Sequence, residues 1–205
     1  NSTEVGSIYN KYELTELSKF CKSKGLYLFL DGARLGAALT STFNDLSLAD
    51  IAQLVDIFYI GGTKNGALFG EAIVITNPKL KNHFRYYLKQ KGALLAKGRI
   101  LGVQFLELFK DDLFFQLAEH SNKMTQKLIE ALKDLNFTFL STPQTNQIFP
   151  ILPNHLINQL QVNYGFYVWE KIDENYSAIR LVTSWATQEK DIEGFINELK
   201  RLVSH

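Results

Sequence analysis

Cysteine, methionine and proline are scarce in this chain of 205 residues, which has one Cys, one Met and four Pro. The lone Cys21 excludes an internal disulfide and a metal site built from several thiolates, and is a weak sign of a reducing compartment. Charge of one sign is missing too: 22 basic and 21 acidic residues leave a net charge of +1. Nucleic-acid surfaces need concentrated Lys and Arg, so that partner class is not expected, whereas small anionic ligands are. No apolar run reaches the ~18 residues of a membrane-spanning helix, and no basic-then-apolar leader opens the chain. The expectation is a soluble, cytoplasmic protein with no membrane partner. The histidines, His83, His120, His155 and His205, are scattered. None forms H-E-x-x-H or another metal spacing, no G-x-S-x-G marks a serine nucleophile, and neither G-x-x-x-x-G-K-[ST] nor G-x-G-x-x-G occurs. No metal is expected, and there is no internal repeat or low-complexity segment.

With 46% hydrophobic and 21% charged residues the chain has the composition of a folded domain with a sizeable core. Leu14, Leu17, Phe20 and Cys21 recur at helical spacing over Tyr12 to Lys24, and Gly25 is a natural stop. Three apolar segments, Leu26 to Leu30, Ile57 to Ile60 and Ala72 to Thr76, read as strands buried on both faces, which call for helices on both sides and neighbours at both edges. Between the first two, a loop rich in Ser, Thr and Asn follows D-G-A-R-L-G and leads to a short helix with Leu46, Leu48, Ile51, Ala52 and Leu54. Only about ten residues separate the second and third strands, too few for a parallel crossover, so the third should run antiparallel.

Helical spacing then runs from Lys79 to about Phe109, but Gly92, Gly98 and Gly102 each cost roughly 1 kcal/mol against Ala, which predicts a break near Lys91 and Gly92. A helix from about Asp112 to Leu135 follows. Strands at Gln147 to Leu152, Gly165 to Lys171 and Ala178 to Thr183, with helices at Asn154 to Gln161 and Gln188 to Val203, read as a small α+β domain. The aromatics, Trp169 and Trp185 included, read as core. The boundary falls after residue 110, giving domains 1–110 and 111–205 within an α/β chain.

Chemistry concentrates in two stretches. D-I-F-Y-I-G-G-T-K-N-G-A-L-F-G-E-A-I-V-I carries Lys64 in a glycine-rich turn between two apolar strands. Glycines allow close backbone approach and a fixed position, and a lysine held out of bulk water is a nucleophilic amine suited to Schiff-base chemistry; the alternative is an exposed turn lysine. L-Y-L-F-L-D-G-A-R-L-G places Asp31 and Arg34 at the end of another strand, and parallel neighbours bring their carboxyl ends to one crevice. A lysine that traps an aldehyde, beside a carboxylate that holds a pyridinium nitrogen, is the protein half of a pyridoxal phosphate site. The alternatives are a cap or turn role for Asp31 and a surface ion pair for Arg34. Arg180, in A-I-R-L-V-T-S-W, is flanked by apolar strand residues, so burying it calls for an anionic partner: a carboxylate held bidentately, or an internal salt bridge.

D-G-A-R-L-G-A-A-L followed by the lysine stretch resembles the low-specificity threonine aldolases of the β-eliminating lyase family, and I-R-L-V-T-S-W resembles that family's carboxylate-binding segment. The resemblance implies an aspartate-aminotransferase-like fold, with part of the cofactor-binding large domain, a mostly parallel sheet with one antiparallel strand, followed by the small domain. It implies pyridoxal 5'-phosphate on Lys64, with Asp31 on its ring nitrogen and Arg34 one helical turn on, beside cofactor or substrate. Arg180 would bind the substrate carboxylate, and Arg99 would reach a neighbouring subunit's cofactor phosphate or be a solvated helix charge. The implied reaction is cleavage of a β-hydroxy-α-amino acid such as threonine to glycine and an aldehyde, by a homodimer or homotetramer. Alternatives are β-elimination or decarboxylation on the same scaffold, or a non-catalytic piece. The resemblance runs over nearly all of this chain but only the later part of a family member. The phosphate-cradling loop and ring-stacking histidine belong to the earlier part, so these 205 residues alone are expected to bind the cofactor poorly.

Overall fold

The first helix begins where the chain supplies its own cap. Asn10 accepts a hydrogen bond from the Glu13 backbone N–H while Glu13 reaches back to the Asn10 N–H, a reciprocal pair that satisfies two donors at the start of α1 (Lys11–Ser23). Gly25, at φ 66°, ends it, and the Leu26 N–H returns to the Cys21 carbonyl at 2.9 Å. The computed structural model describes residue 2 and residues 4–204; Asn1, Thr3 and His205, and with it the expectation for that histidine, lie outside the described residues.

The chain divides into two compact units, Tyr9–Leu117 and Asn1–Ile8 with Ala118–His205. The division falls inside a helix rather than after residue 110, where the change of sequence pattern had suggested a boundary. In the first unit, β1 (Phe29–Leu30), β2 (Ile57–Gly61) and β3 (Glu71–Ile75) form a three-stranded sheet in that order, β1 parallel and β3 antiparallel to β2. The short connection between β2 and β3 has that consequence, as expected. β1 is two residues long instead of five because only β2 pairs with it among the described residues. The Leu28 N–H instead donates to the Asp56 carboxylate at 2.8 Å.

Side chains alternate across β2. Phe58 and Ile60 are buried against Leu14 of α1, Leu35, Ile51, Val55 and Phe114, while Ile57 and Tyr59 face the other way and are half-buried. Around that other face Phe29 and Ile73 are exposed, so the sheet is covered on one face and not on both. The covering elements are α2 (Leu35–Leu39) and α3 (Leu48–Leu54) as well as α1. α2 takes the last two residues of D-G-A-R-L-G and the start of the loop expected after it: its five residues, Leu-Gly-Ala-Ala-Leu, are too few to show a helical period, yet four of them are buried. Beyond β3 come a 3-10 turn at Pro78–Leu80, α4 (Phe84–Gln90) and α5 (Arg99–Leu108). The break at Gly92, φ 70°, is where expected; a second interruption at His83, φ 58°, had no glycine to announce it.

In the second unit, β4 (Gln147–Ile148), β5 (Ile151–Pro153) and β6 (Tyr167–Lys171) all pair antiparallel with β7 (Tyr176–Val182). The single strand expected at Gln147 to Leu152 is split, because Pro150 has no N–H to donate and the Phe149 carbonyl turns to the Leu140 N–H at 2.8 Å. Met124, Leu128 and Leu132 of α6 (Leu113–Asp134), Ile157 and Leu160 of α7 (Asn154–Leu160), and Ile192, Phe195 and Leu199 of α8 (Glu189–Val203) bury that sheet's inner face. Among the described residues no helix is long and apolar enough to cross a membrane.

Candidate active site

Two glycines let the segments that carry Asp31 and Lys64 touch. A Cβ on Gly32 would stand 1.6 Å from the Tyr59 carbonyl oxygen, and one on Gly61 would stand 2.4 Å from that of Ala33. Only hydrogen fits at either place. The Gly61 N–H donates to the Gly32 carbonyl at 2.9 Å, which locks the end of β2 against the turn after β1.

The loop that follows β2 is pinned along its length. Glu71 of β3 accepts from the Gly62 N–H at 2.8 Å and from the Thr63 hydroxyl at 3.3 Å. Asn65 is buried and donates its side-chain amide to the Phe114 carbonyl at 2.7 Å, while its own N–H returns to Gly62 at 2.9 Å. The Gln104 carboxamide of α5 accepts from the Leu68 N–H at 2.7 Å and donates to the Phe69 carbonyl at 3.1 Å. Lys64 thus projects from a backbone held on both sides of it. Its side chain, however, is exposed. The expectation that this chain's own atoms keep the amine out of bulk water is corrected: the turn stands at the uncovered edge of the sheet, where Asn65 and Ala67 are buried but Thr63 and Lys64 are exposed.

Asp31 lies in a turn rather than a helix. Its Oδ1 accepts from the Ala33 N–H at 3.0 Å and from the Tyr59 hydroxyl at 2.5 Å. The first bond is the side-chain turn that Asp favours after a strand. Arg34 is therefore at the N-cap of α2, half-buried, and not one helical turn beyond Asp31. The Tyr59 hydroxyl, then the Ala33 N–H, and also the positive charge of Lys64 hold the Asp31 carboxyl below its ordinary value, against the opposing effect of its slight burial. The phenol of Tyr59 is pushed up to about 12, first by burial and then by its bond to Asp31. Tyr59, Lys64, Ala33, Phe29, Glu71 and Ile73 line one shallow cavity of about 260 Å³. Sequence reasoning found Asp31 and Lys64 and missed Tyr59 and Glu71. The signal for Tyr59 was its place in β2, two residues before the glycine pair, where alternation turns it away from the core.

Arg180 belongs to the second unit, on β7 opposite Tyr167. Its Nε donates to the Gln147 Oε1 at 3.1 Å and its Nη2 to the same atom at 2.5 Å. The guanidinium also stands over the Trp169 ring, 5.5 Å from its centre. Neither is an anion, so the internal salt bridge offered as an alternative is absent among the described residues. Arg180 borders a cavity of about 600 Å³ whose walls include Tyr164, Phe166, Phe195, Thr187 and Asp191. Trp169 is half-buried and Trp185 exposed, so neither is the core residue expected of it. Arg99 is exposed at the first position of α5, where a helix dipole gains nothing from a cation. His83 and His155 are exposed, and His120 Nε2 lies 2.8 Å from the Thr187 carbonyl oxygen; no metal-binding cluster occurs among the described residues.

A family model described as "Beta-eliminating lyase" matches residues 1–154. The chain is 36% identical over 203 residues to the low specificity L-threonine aldolase of Pseudomonas aeruginosa, covering 98% of this chain and 56% of that one. The solved structure of Leishmania major threonine aldolase superposes with a TM-score of 0.96 at 51% identity, over 99% of this chain and 59% of that one. An aspartate aminotransferase of Thermus thermophilus shares the fold alone, with a TM-score of 0.67 at 13% identity over 98% of this chain and 55% of that one. The fold is thus α/β and matches aspartate-aminotransferase-like threonine aldolase structures over part of their chain. These 205 residues span a little over half the length of the relatives they match.

Proposed function

The chain belongs to the β-eliminating lyase family, and from that premise we propose that it carries the lysine half of a pyridoxal phosphate site in a carbon–carbon lyase. The substrate is a β-hydroxy-α-amino acid such as threonine, and the products are glycine and an aldehyde. The observation that carries this reading is the junction of Asp31, Tyr59 and Lys64 at adjoining strand ends beside one cavity.

The donor set fits the ring end of that cofactor. A primary amine is available at Lys64 to hold an aldehyde carbon, and a carboxylate at Asp31 to hold a protonated ring nitrogen. Among the described residues no donor reaches Asp31 Oδ2, since both of its protein bonds fall on Oδ1. When bound, the cofactor supplies a sink for the electron pair released as a bond to Cα breaks. The residues of the chain bind and orient around it. Asp31, kept anionic by Tyr59 and Ala33, accepts a proton-bearing nitrogen without giving up its own charge. Arg180, with its guanidinium plane held by Gln147 and Trp169, is the group we assign to the substrate α-carboxylate. Arg34 is assigned to cofactor or substrate and Arg99 to the cofactor phosphate of a neighbouring subunit.

For the complete protein we propose a homodimer or homotetramer. In support, α5 presents Ile100, Val103 and Leu106 to solvent beside Arg99, an apolar run of the kind that subunit contacts cover.

The test is borohydride reduction of the native protein with pyridoxal phosphate, followed by peptide mass mapping. A phosphopyridoxyl group on Lys64, lost in Lys64→Ala, is the expected result; a folded native protein that takes none sinks the proposal. Acetaldehyde rather than ammonia released from threonine then separates carbon–carbon cleavage from β-elimination.

A further inference from the structure

Nothing in the family reading assigns a part to Tyr59, yet the site turns on it. Its hydroxyl and the Ala33 N–H converge on one oxygen of Asp31, at 2.5 and 3.0 Å, and leave the other without a protein donor among the described residues. The ring is itself held, stacked on Phe29 with centroids 6.0 Å apart at 27° and anchored in β2 opposite Ile73. We propose that Tyr59 is a positioning residue: its phenol fixes Asp31 by Oδ1, so that Oδ2 is the oxygen presented to a protonated heteroaromatic nitrogen. The identity of that ligand as pyridoxal phosphate rests on the function proposed above.

The pair works in one direction only. The phenol, raised to about 12, keeps its proton and remains the donor, and the carboxyl, lowered, remains the acceptor. Among the described residues, the charged groups that act on the pair are Lys64, from the loop after β2, which favours the Asp31 anion, and Glu71, from β3, which disfavours a Tyr59 anion. A free carboxylate at a strand end rotates between two equivalent oxygens. Two donors on one of them select a single rotamer, and the ordering is then complete before a ligand arrives.

Tyr59→Phe removes the hydroxyl and keeps the ring and its stack on Phe29, so a role in packing alone would leave Asp31 unmoved. In protein labelled with ¹³C at the Asp carboxyls, with Asp31 assigned by its loss in Asp31→Asn, the Asp31 titration midpoint lies below the ordinary 3.8 and rises toward it in Tyr59→Phe. In the native protein, Tyr59→Phe weakens pyridoxal phosphate binding by about tenfold, the order of a hydrogen bond to a charged group, while Lys64 is still the residue trapped by borohydride. An Asp31 midpoint unchanged in Tyr59→Phe overturns the proposal. Should that variant fail to fold, the reciprocal measurement decides: the Tyr59 phenol, followed by ¹³Cζ-tyrosine resonances, ionises near 12 in the wild type and lower in Asp31→Asn, and no change there overturns the proposal equally. A shifted Asp31 midpoint in a wild-type protein that takes up no pyridoxal phosphate supports the pairing and overturns the cofactor reading, so the two fail separately.

Discussion

Asn65 does for Lys64 what Tyr59 does for Asp31: it is the neighbour that holds the functional residue still. Its side chain is buried and spends its amide on the Phe114 carbonyl. Asn65→Ala removes the side-chain donor from that carbonyl and frees the lysine loop from the core. The expected cost is about 1–3 kcal/mol, read as a lower urea midpoint at unchanged slope. The titration of the Asp31–Tyr59 pair has two signs. Asp31 is depressed when folded, so its contribution to stability is present above its ordinary value of 3.8 and is lost as pH falls through the lowered one. Tyr59 is raised, so its contribution is whole below its ordinary value of 10.0 and disappears as pH rises through about 12. Denaturation midpoints of Tyr59→Phe against wild type should therefore converge at both extremes and differ most between them.

Elements decide how near these residues come. β1 and β2 end in turns that interlock through Gly32 and Gly61, and the contact is backbone on backbone, so it has no soft side chain to yield. Gly32→Ala should cost about 3 kcal/mol, at the upper end of overpacking, and should also abolish uptake of pyridoxal phosphate at Lys64, because the strand ends that bring Asp31 and Lys64 together would have to part. A substitution of similar size at Gly25, whose added Cβ would meet nothing within 4 Å, strains only its left-handed φ of 66° and should leave that uptake intact. Comparing the two variants by denaturation and by borohydride trapping separates damage to the site from damage to the fold. α2 works with the same turn. Its buried Leu35, Gly36, Ala37 and Ala38 seat the turn of Asp31 on the core, which explains why a segment of five residues is helical at all.

At the scale of the molecule, the uncovered face of the first sheet carries the candidate site. Phe29 and Ile73 are exposed there, beside the cavity that Lys64 and Tyr59 line. Relatives are longer, with this chain spanning 56% of one and 59% of another. The expectation is that the 205 residues alone take up pyridoxal phosphate far more weakly than a protein of the relatives' full length. Absorbance titration of both against the cofactor checks it, and equal affinity would place the whole binding site within these residues. The 600 Å³ cavity beside Arg180 lies in the second unit and belongs with the carboxylate proposal. Arg180→Lys keeps the charge and loses the planar fork, and should raise KM for the amino acid at least tenfold with a smaller effect on cofactor retention.

Much of this was legible from residue order. Apolar runs and their punctuation located the strands at Ile57 and Ala72, the helices before Gly25 and after Gln188, and the break at Gly92, because backbone preference and periodicity act over a few neighbouring residues. The antiparallel turn of β3 followed from a connection too short to cross over, and the two motif stretches pointed to Asp31 and Lys64, and A-I-R-L-V-T-S-W to Arg180, by their chemistry. The rest required partners distant in the chain. β1 shrank to two residues because pairing, not propensity, makes a strand, and α2 became helical because the core buried it. Lys64 is exposed, where its place between two apolar strands suggests shelter, since shelter depends on what covers a sheet face. That Tyr59 meets Asp31, and Gln147 meets Arg180, no local pattern records. Each hydrogen bond joins residues about thirty positions apart, and only the folded sheets bring them within reach.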